Sequence, residues 1–124
     1  MHEDYVSYEV AKLLNKKGFD INTGTFYGNG GVLYHGSLAF HSCIRKEYGS
    51  YPAPPLHIAQ KWLRVKKNIH IMMDVCASGY YAVLWKTNGT FIKTLVDKGP
   101  NDGGVWDTFE EALQTGILEA LKLI

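Results

Sequence analysis

Three residues with metal-binding side chains lie near the middle of the chain: His35, His41 and Cys43. Imidazole nitrogen and thiolate sulfur are ligands that zinc prefers, and His41 and Cys43 share one face if their segment is a strand. The spacing His-x5-His-x-Cys nevertheless corresponds to no zinc motif. We therefore predict no metal and no cofactor, with Cys43 as a small core residue and the histidines at the surface or hydrogen-bonded.

Cys76 and His70 have the residue types of a thiol nucleophile and its base. They share one face of an extended strand because they are six residues apart, but that separation is about 20 Å. A base must lie within hydrogen-bond distance of its nucleophile, so we do not expect this pair to be catalytic. We predict that the chain is not an enzyme; an enzyme that uses His35, His41 and Cys43 is the least favoured interpretation.

The glycine-rich stretch Gly28-Asn29-Gly30-Gly31 has the composition of a phosphate-binding loop. Such a loop needs a helix N-terminus that aims its N–H groups at the phosphate, whereas this stretch leads into the strand-like Val32-Leu33-Tyr34. Asn-Gly at the two central positions of a turn is a strong hairpin signal, and we predict a hairpin with Phe26-Tyr27 as its other strand. Leu38–Cys43 is a weaker strand prediction, and residues 44–53 are predicted to be a loop.

Four basic residues form a local cluster: Lys61, Arg64, Lys66 and Lys67. On a helix Lys61 and Arg64 are neighbours, and so are Arg64 and Lys67. Such a run is usually a solvated helix face; the alternative is weak nucleic-acid binding through the basic helix 56–67. The net charge of +1, from 13 Lys and Arg against 12 Asp and Glu, adds no overall attraction to a polyanion or an anionic membrane.

Composition provides the remaining hint of function. Aromatic residues make up 13% of the chain and include eight tyrosines, some of which must lie at the surface. Tyrosine-rich surfaces are typical of binding to a protein, to a nucleic acid or to a second copy of the same chain. The leading hypothesis is therefore a non-catalytic accessory or interaction module that binds a protein partner or itself.

The sequence predicts a cytoplasmic protein that does not bind a membrane. No apolar run approaches the ~20 residues of a membrane span. The polar start Met1-His2-Glu3-Asp4 does not resemble a signal peptide. A compartment reached without export is usually reducing, so we expect Cys43 and Cys76 to be free thiols.

Capping signals mark the first two helices. Ser7 is a good N-cap for a helix that Gly18 ends, with Phe19 placed to pack back in a Schellman arrangement. The second helix follows Pro54-Pro55 and runs to about Lys67, because proline is favoured at the first helical position.

A third helix is predicted from Phe109 nearly to Ile124. Thr108 and Glu111 form a capping box at its start. Gly116 lies inside this helix at a cost of about 1 kcal/mol relative to alanine, which indicates close packing of the helix against a sheet.

Three segments with alternating apolar residues predict an antiparallel meander: Ile69–Val75, Tyr80–Lys86 and Thr90–Val96. Asn88-Gly89 is predicted to be a two-residue turn, which fixes the register of the last two strands. The residues expected on the buried face of this hairpin are Trp85 opposite Ile92, Tyr81 opposite Val96, and Val83.

Together these elements predict one α+β domain over residues 1–124. An apolar fraction of 46% in 124 residues is enough for one hydrophobic core. The expected architecture is an antiparallel sheet, made of the hairpin and the three-stranded meander, packed against three helices. These helices are expected to form a single layer on one face.

Seven stretches in order along the chain carry a resemblance to known proteins: Tyr5–Ala11, Lys17–Asp20, Tyr51–Pro54, Ala59–Arg64, Ile69–Ile71, Thr108–Ala112 and Glu119–Leu121. They resemble a family of short uncharacterised proteins encoded by phages and mobile elements of gut bacteria. One departure is Pro55, where a capping threonine or serine would be usual. The resemblance implies a bacterial cytoplasmic setting and carries no functional residues.

Overall fold

The computed structural model describes residues 4–21, 23–28, 31–35 and 51–124. The chain forms two compact units, Met1–Pro55 and Leu56–Ile124, which we call the first and second unit. Within the described residues there are three helices and two three-stranded antiparallel sheets, which confirms the α+β class. The hairpin and the meander belong to two separate sheets rather than one, and the single domain over residues 1–124 stays a prediction.

Helix α1 (Tyr8–Lys16) in the first unit forms as predicted. The Ser7 hydroxyl oxygen accepts a hydrogen bond of 3.2 Å from the backbone N–H of Val10, which caps the first turn. At the other end the N–H of Phe19 donates to the carbonyl of Leu14 at 2.9 Å. This bond spans five residues and is the Schellman closure that the sequence predicts.

The sheet of the first unit has β1 (Thr25–Tyr27) at its centre, between β2 (Leu33–His35) and β3 (Tyr51–Pro52). Strand β3 lies in the segment 44–53, so the prediction of a loop throughout that segment is wrong. Two residues are too few to show an alternating pattern, and Pro52 has no N–H for a ladder, which restricts it to an edge strand such as this one. The predicted strand at Leu38–Cys43 lies outside the described residues.

The hairpin between β1 and β2 closes at Gly28 and Val32, where the Gly28 N–H donates to the Val32 carbonyl at 2.9 Å. The loop therefore has three residues rather than two. The N–H of Gly31 donates to the Gly28 carbonyl at 3.1 Å, and Gly31 has a φ of 79°. The described residue with positive φ in this loop is Gly31, directly after the predicted turn centre. That centre, Asn29-Gly30, lies outside the described residues.

In the second unit α2 (Leu56–Lys66) is followed by β4 (Ile69–Cys76), β5 (Gly79–Lys86) and β6 (Phe91–Leu95). The three strands form an antiparallel meander in the order β4-β5-β6, as predicted. The helix ends at Lys66, close to the predicted end at about Lys67, and Asn68 beyond it has a φ of 60°.

Helix α3 (Phe109–Lys122) packs on the sheet at Gly116. A Cβ atom there would lie 3.0 Å from Ile71 Cγ2 and 3.1 Å from Ala82 Cβ, which confirms the close approach predicted from this glycine. The Thr108 hydroxyl oxygen accepts from the Glu111 N–H at 3.1 Å, but the Glu111 carboxylate accepts from the Thr108 hydroxyl rather than from its backbone.

The face of the sheet toward α3 is not the one predicted for the hairpin of β5 and β6. In β5 the buried inner residues are Ala82 and Leu84, and Leu84 pairs with Ile71 of β4. Because neighbouring residues of a strand point to opposite faces, the alternate residues of β5 lie on the outer face. The prediction that Tyr81, Val83 and Trp85 form the buried face is therefore wrong for the face toward α3, although Val83 itself is buried on the outer face.

The register between β5 and β6 is as predicted from Ala82 to Leu84 and then shifts. A bulge after Leu84 pairs Trp85 with Phe91 instead of Ile92. The N–H of Lys86 donates to the Thr90 carbonyl at 2.7 Å, which closes a loop of three residues, and Gly89 has a φ of 94°. A type I′ turn requires positive φ at both central residues, and Asn88 does not have it, so the two-residue turn is also wrong.

The chain after β6 returns along β5. Tyr80 and Trp106 form an antiparallel bridge with N–O distances of 2.8 and 3.0 Å, and the Asn101 amide donates to the Ser78 carbonyl at 2.8 Å. A Cβ atom on Gly79 would lie 2.1 Å from the Trp106 carbonyl oxygen. These contacts hold residues 97–106 at the end of the sheet where β4 turns into β5.

The outer edge of β4 is covered by α2. The Gln60 amide donates to the backbone carbonyl of Ile71 at 2.8 Å. An unpaired strand edge offers its backbone groups to other chains, and this bond occupies one of them.

Candidate functional site

The outer face of the second sheet carries apolar and aromatic side chains that reach the surface. Met72 is 37% exposed and Phe91 is 53% exposed. They lie on this face because Met72 pairs with Val83, and Phe91 pairs with Trp85. Exposed apolar residues that adjoin on one face are typical of an interaction surface.

A groove of about 650 Å³ lies on this face, beside the end of α2. Its floor is formed by the cross-strand pair His70 and Trp85, together with Met72. Arg64 and Lys86 form its basic rim. We call it the sheet-face groove; its lining residues are Arg64, His70, Met72, Trp85, Lys86, Thr87 and Gly89.

Trp85 is the central residue of the sheet-face groove. Its ring makes an edge-to-face contact with Phe91, with centroids 5.4 Å apart and an interplanar angle of 75°. Its indole Nε1 is buried and has no hydrogen-bond acceptor, alone among the buried side-chain nitrogen and oxygen atoms of the described residues. Indole N–H can only donate, so a ligand that supplies an acceptor would satisfy it.

A second cavity of about 710 Å³ adjoins the groove at the tip of the β5–β6 hairpin. Lys86 and Thr87 line both depressions, so the two meet at these residues. We call this the end cavity; it is lined by Lys67, Asn68, Ile69, Lys86, Thr87, Asn88, Ile92, Leu123 and Ile124.

Among the described residues, no acidic side chain lines the sheet-face groove or the end cavity. The second unit is described throughout, and five of its acidic residues lie in the return segment 97–106 or at the start of α3 beyond it: Asp97, Asp102, Asp107, Glu110 and Glu111. That segment is held at the opposite end of the sheet from the β5–β6 hairpin. The second unit thus has a basic end and an acidic end.

The basic cluster predicted from the sequence is divided by the structure. Arg64 lines the sheet-face groove, and Lys67 lines the end cavity with its Nζ 5.5 Å from the centre of the Trp62 ring. Lys61 and Lys66 are exposed and line neither depression.

Lys86 belongs to the same surface and is missing from the sequence prediction. It is 19 residues away from Lys67 along the chain, but β4 begins directly after α2 and its first residue, Ile69, pairs with Lys86. The antiparallel pairing of two predicted strands is the signal that would have brought the two lysines together.

Of the three candidate metal ligands, His35 is the one that lies within the described residues. His35 ends β2 and is exposed, with its ring 5.7 Å from that of Tyr5. His41 and Cys43 lie outside the described residues. Within those residues no group of three histidine, cysteine, aspartate or glutamate side chains is placed to hold a metal ion.

His70 and Cys76 lie at opposite ends of β4. His70 pairs with Trp85 and Cys76 pairs with Gly79, so the intervening strand is continuous. Cys76 is free and exposed. Their separation along an extended strand is about 20 Å, in agreement with the expectation that they do not act as a pair.

Another charged cluster surrounds Glu119 of α3, which is 5% exposed. Its carboxylate accepts from Lys98 at 3.0 Å, from Lys122 at 3.1 Å and from Lys93 at 3.4 Å. Burial raises the pKa of Glu119, but the hydrogen bonds from Lys98 and Lys122 outweigh it and hold the pKa at about 2. The cluster ties α3 to β6 and to the segment that follows it.

Comparison of the chain with protein-family models, with curated proteins and with solved structures found no match. None of the helices within the described residues combines the length and the apolar character that crossing a membrane requires.

Proposed function

We propose that this protein is a non-enzymatic interaction module that binds an anionic macromolecule through the outer face of its second sheet. The observation that carries the proposal is the sheet-face groove, which has an apolar floor at Met72 and Trp85 and a basic rim; none of its described lining residues is acidic. Binding sites are typically concave and mostly apolar, with a few polar groups that set specificity.

The partner that fits this groove is a separate macromolecule rather than a small metabolite. The depression is open along the sheet and shares Lys86 and Thr87 with the end cavity. An accessory role in a bacterial cytoplasm is supported by the resemblance to small proteins of phages and mobile elements.

The test is a comparison of what co-purifies with two variants of the tagged chain. In the groove variant Arg64→Glu and Lys86→Glu reverse two charges of the rim. In the control variant Lys16→Glu and Lys61→Glu make the same change in net charge at exposed positions that line neither depression.

We expect a partner that the wild-type chain and the control retain and that the groove variant loses. If the groove variant retains the same partners as the control variant, this function is contradicted. Static light scattering over a range of concentrations tests self-association, which the sequence also predicts. A dimer abolished by the groove variant would identify a second copy as the partner.

A further inference from the structure

The charge on the second unit is segregated along the sheet. Arg64 and Lys86 form the rim of the sheet-face groove, and Lys67 lines the end cavity. Acidic residues follow β6 and lie at the other end, while Glu119 is occupied by three lysines. A surface that is lined by cations, and by no acidic side chain of the described residues, attracts a polyanion even when the net charge of the chain is close to zero.

The three cations do not surround a single point. Lys86 is common to both depressions, Arg64 lies in one and Lys67 in the other. Cations placed along two adjoining depressions match the repeated charges of an extended polyanion better than the single charge of a small ligand.

Aromatic side chains adjoin this basic track. Phe91 is 53% exposed and contacts the ring of Trp85, which lines the sheet-face groove. Nucleobases stack on such rings when they are not already paired and stacked within a duplex.

From these observations we propose that the sheet-face groove and the end cavity together bind single-stranded nucleic acid, either RNA or DNA. Bases stack at Trp85 and Phe91. Phosphates follow the cations from Arg64 over Lys86 to Lys67. The proposal rests on the proposed function and names the class of its partner; an acidic protein segment is the competing class.

The test uses fluorescence anisotropy with the full chain. The probes are labelled oligo-dT and oligo-U of about 12 nucleotides, which is within the range that one small single-strand-binding module covers. A duplex of the same length and an oligo-glutamate peptide of the same length are the comparison ligands. Each titration is repeated over salt concentrations from about 50 to 300 mM.

We expect the single strands to bind at least about tenfold more tightly than the duplex. The double variant Arg64→Gln and Lys86→Gln should reduce the slope of log affinity against log salt by about 1.4, which is 0.7 for each phosphate that the protein no longer neutralises. The control variant Lys16→Gln and Lys61→Gln should leave that slope unchanged.

Trp85→Ala should weaken single-strand binding about tenfold through loss of stacking. Trp85→Phe keeps an aromatic ring in the sheet and should retain most of the affinity. The thermal midpoint of each variant shows whether it is folded, so Trp85→Phe keeps the test decisive if Trp85→Ala unfolds.

Two results would overturn the inference. One is a salt slope that the double variant Arg64→Gln and Lys86→Gln does not change. The other is tighter binding of the duplex or of oligo-glutamate than of the single strands. If oligo-glutamate binds more tightly than the single strands, and the double variant Arg64→Gln and Lys86→Gln abolishes that binding, the partner is an acidic protein segment. The proposed function then stands, while the nucleic-acid inference fails.

Discussion

Glu119 shows how one residue can resemble a functional site and serve the fold. A buried carboxylate with a strongly shifted pKa is often found in an active site. Here the side chain accepts hydrogen bonds from Lys93, Lys98 and Lys122, all about half exposed. Because the three lysines come from three separate segments, the cluster fastens α3 to the rest of the second unit and lines neither depression.

Replacing this carboxylate should destabilise the second unit. Glu119→Gln is expected to lower the free energy of unfolding at pH 7 by about 1–3 kcal/mol, because three lysines lose their buried acceptor while solvent screens part of the effect. Urea denaturation measures the change. Glu110→Gln, at an exposed position of the first turn of α3, is the control and should change stability by less than about 0.5 kcal/mol.

The contribution of Glu119 should also depend on pH. Its pKa is lowered from 4.5 to about 2 in the folded chain, so its stabilisation is fully present above about pH 4.5 and is lost as the pH falls toward 2. The difference in unfolding free energy between the wild type and Glu119→Gln should shrink over that interval. A difference that stays constant from pH 5 to pH 2 would contradict the assignment.

At the scale of elements, local signals predicted the helices well because each helix end is determined by a few adjacent residues. The caps at Ser7 and Thr108 and the glycine contact of α3 are in place. The three strands of the meander were also predicted. Strand faces were harder to predict, because both faces of β5 carry residues that are apolar enough for a core. One face has Ala82 and Leu84, and the other has Tyr81, Val83 and Trp85.

Strand pairing explains why the candidate site was only partly predicted. Arg64 and Lys67 stood out as a run along one helix, but Lys86 and Trp85 join them only through the pairing of β4 with β5. Phe91 joins Trp85 only through the shift of register between β5 and β6. Aromatic content alone could not locate the surface, because aromatic residues also pack on one another elsewhere. Tyr8, for example, contacts other tyrosine rings in the first unit.

Replacing Gly89 tests the hairpin as it is observed. Gly89→Val should lower the free energy of unfolding by about 1–3 kcal/mol, because a β-branched residue resists a φ of 94°. No atom lies within 4 Å of the added Cβ, so the cost is one of backbone conformation alone. Thr94→Val, at an exposed position of β6, is the control, and equal stability of the two variants would argue against this turn.

At the scale of the whole molecule, the division into two units raises the question of cooperativity. The second unit contains its own set of fully buried side chains, among them Leu63 of α2, Leu84 of β5 and Ile117 of α3. Helices and sheet of this unit therefore contribute to a shared core.

A fragment of residues 56–124 should fold on its own. All three tryptophans of the chain lie in it, so near-ultraviolet circular dichroism reports on its tertiary structure directly. We expect a cooperative thermal transition and a spectrum like that of the full chain. A fragment without a cooperative transition would instead support one cooperative domain over residues 1–124, as the sequence predicts.

The return of residues 97–106 along β5 has a consequence for mutational scanning. A Cβ atom on Gly79 would lie 2.1 Å from the Trp106 carbonyl oxygen, and one on Gly104 would lie 2.0 Å from the Val96 carbonyl oxygen. Both glycines also have positive φ. In a saturation library these two positions should reject nearly every replacement, while Phe91 and Met72 should tolerate many in any selection for folded protein alone. Positions that do not tolerate substitution will therefore be those where two backbone segments are in close contact. The ligand-binding surface will be detected only in a library that is selected for binding.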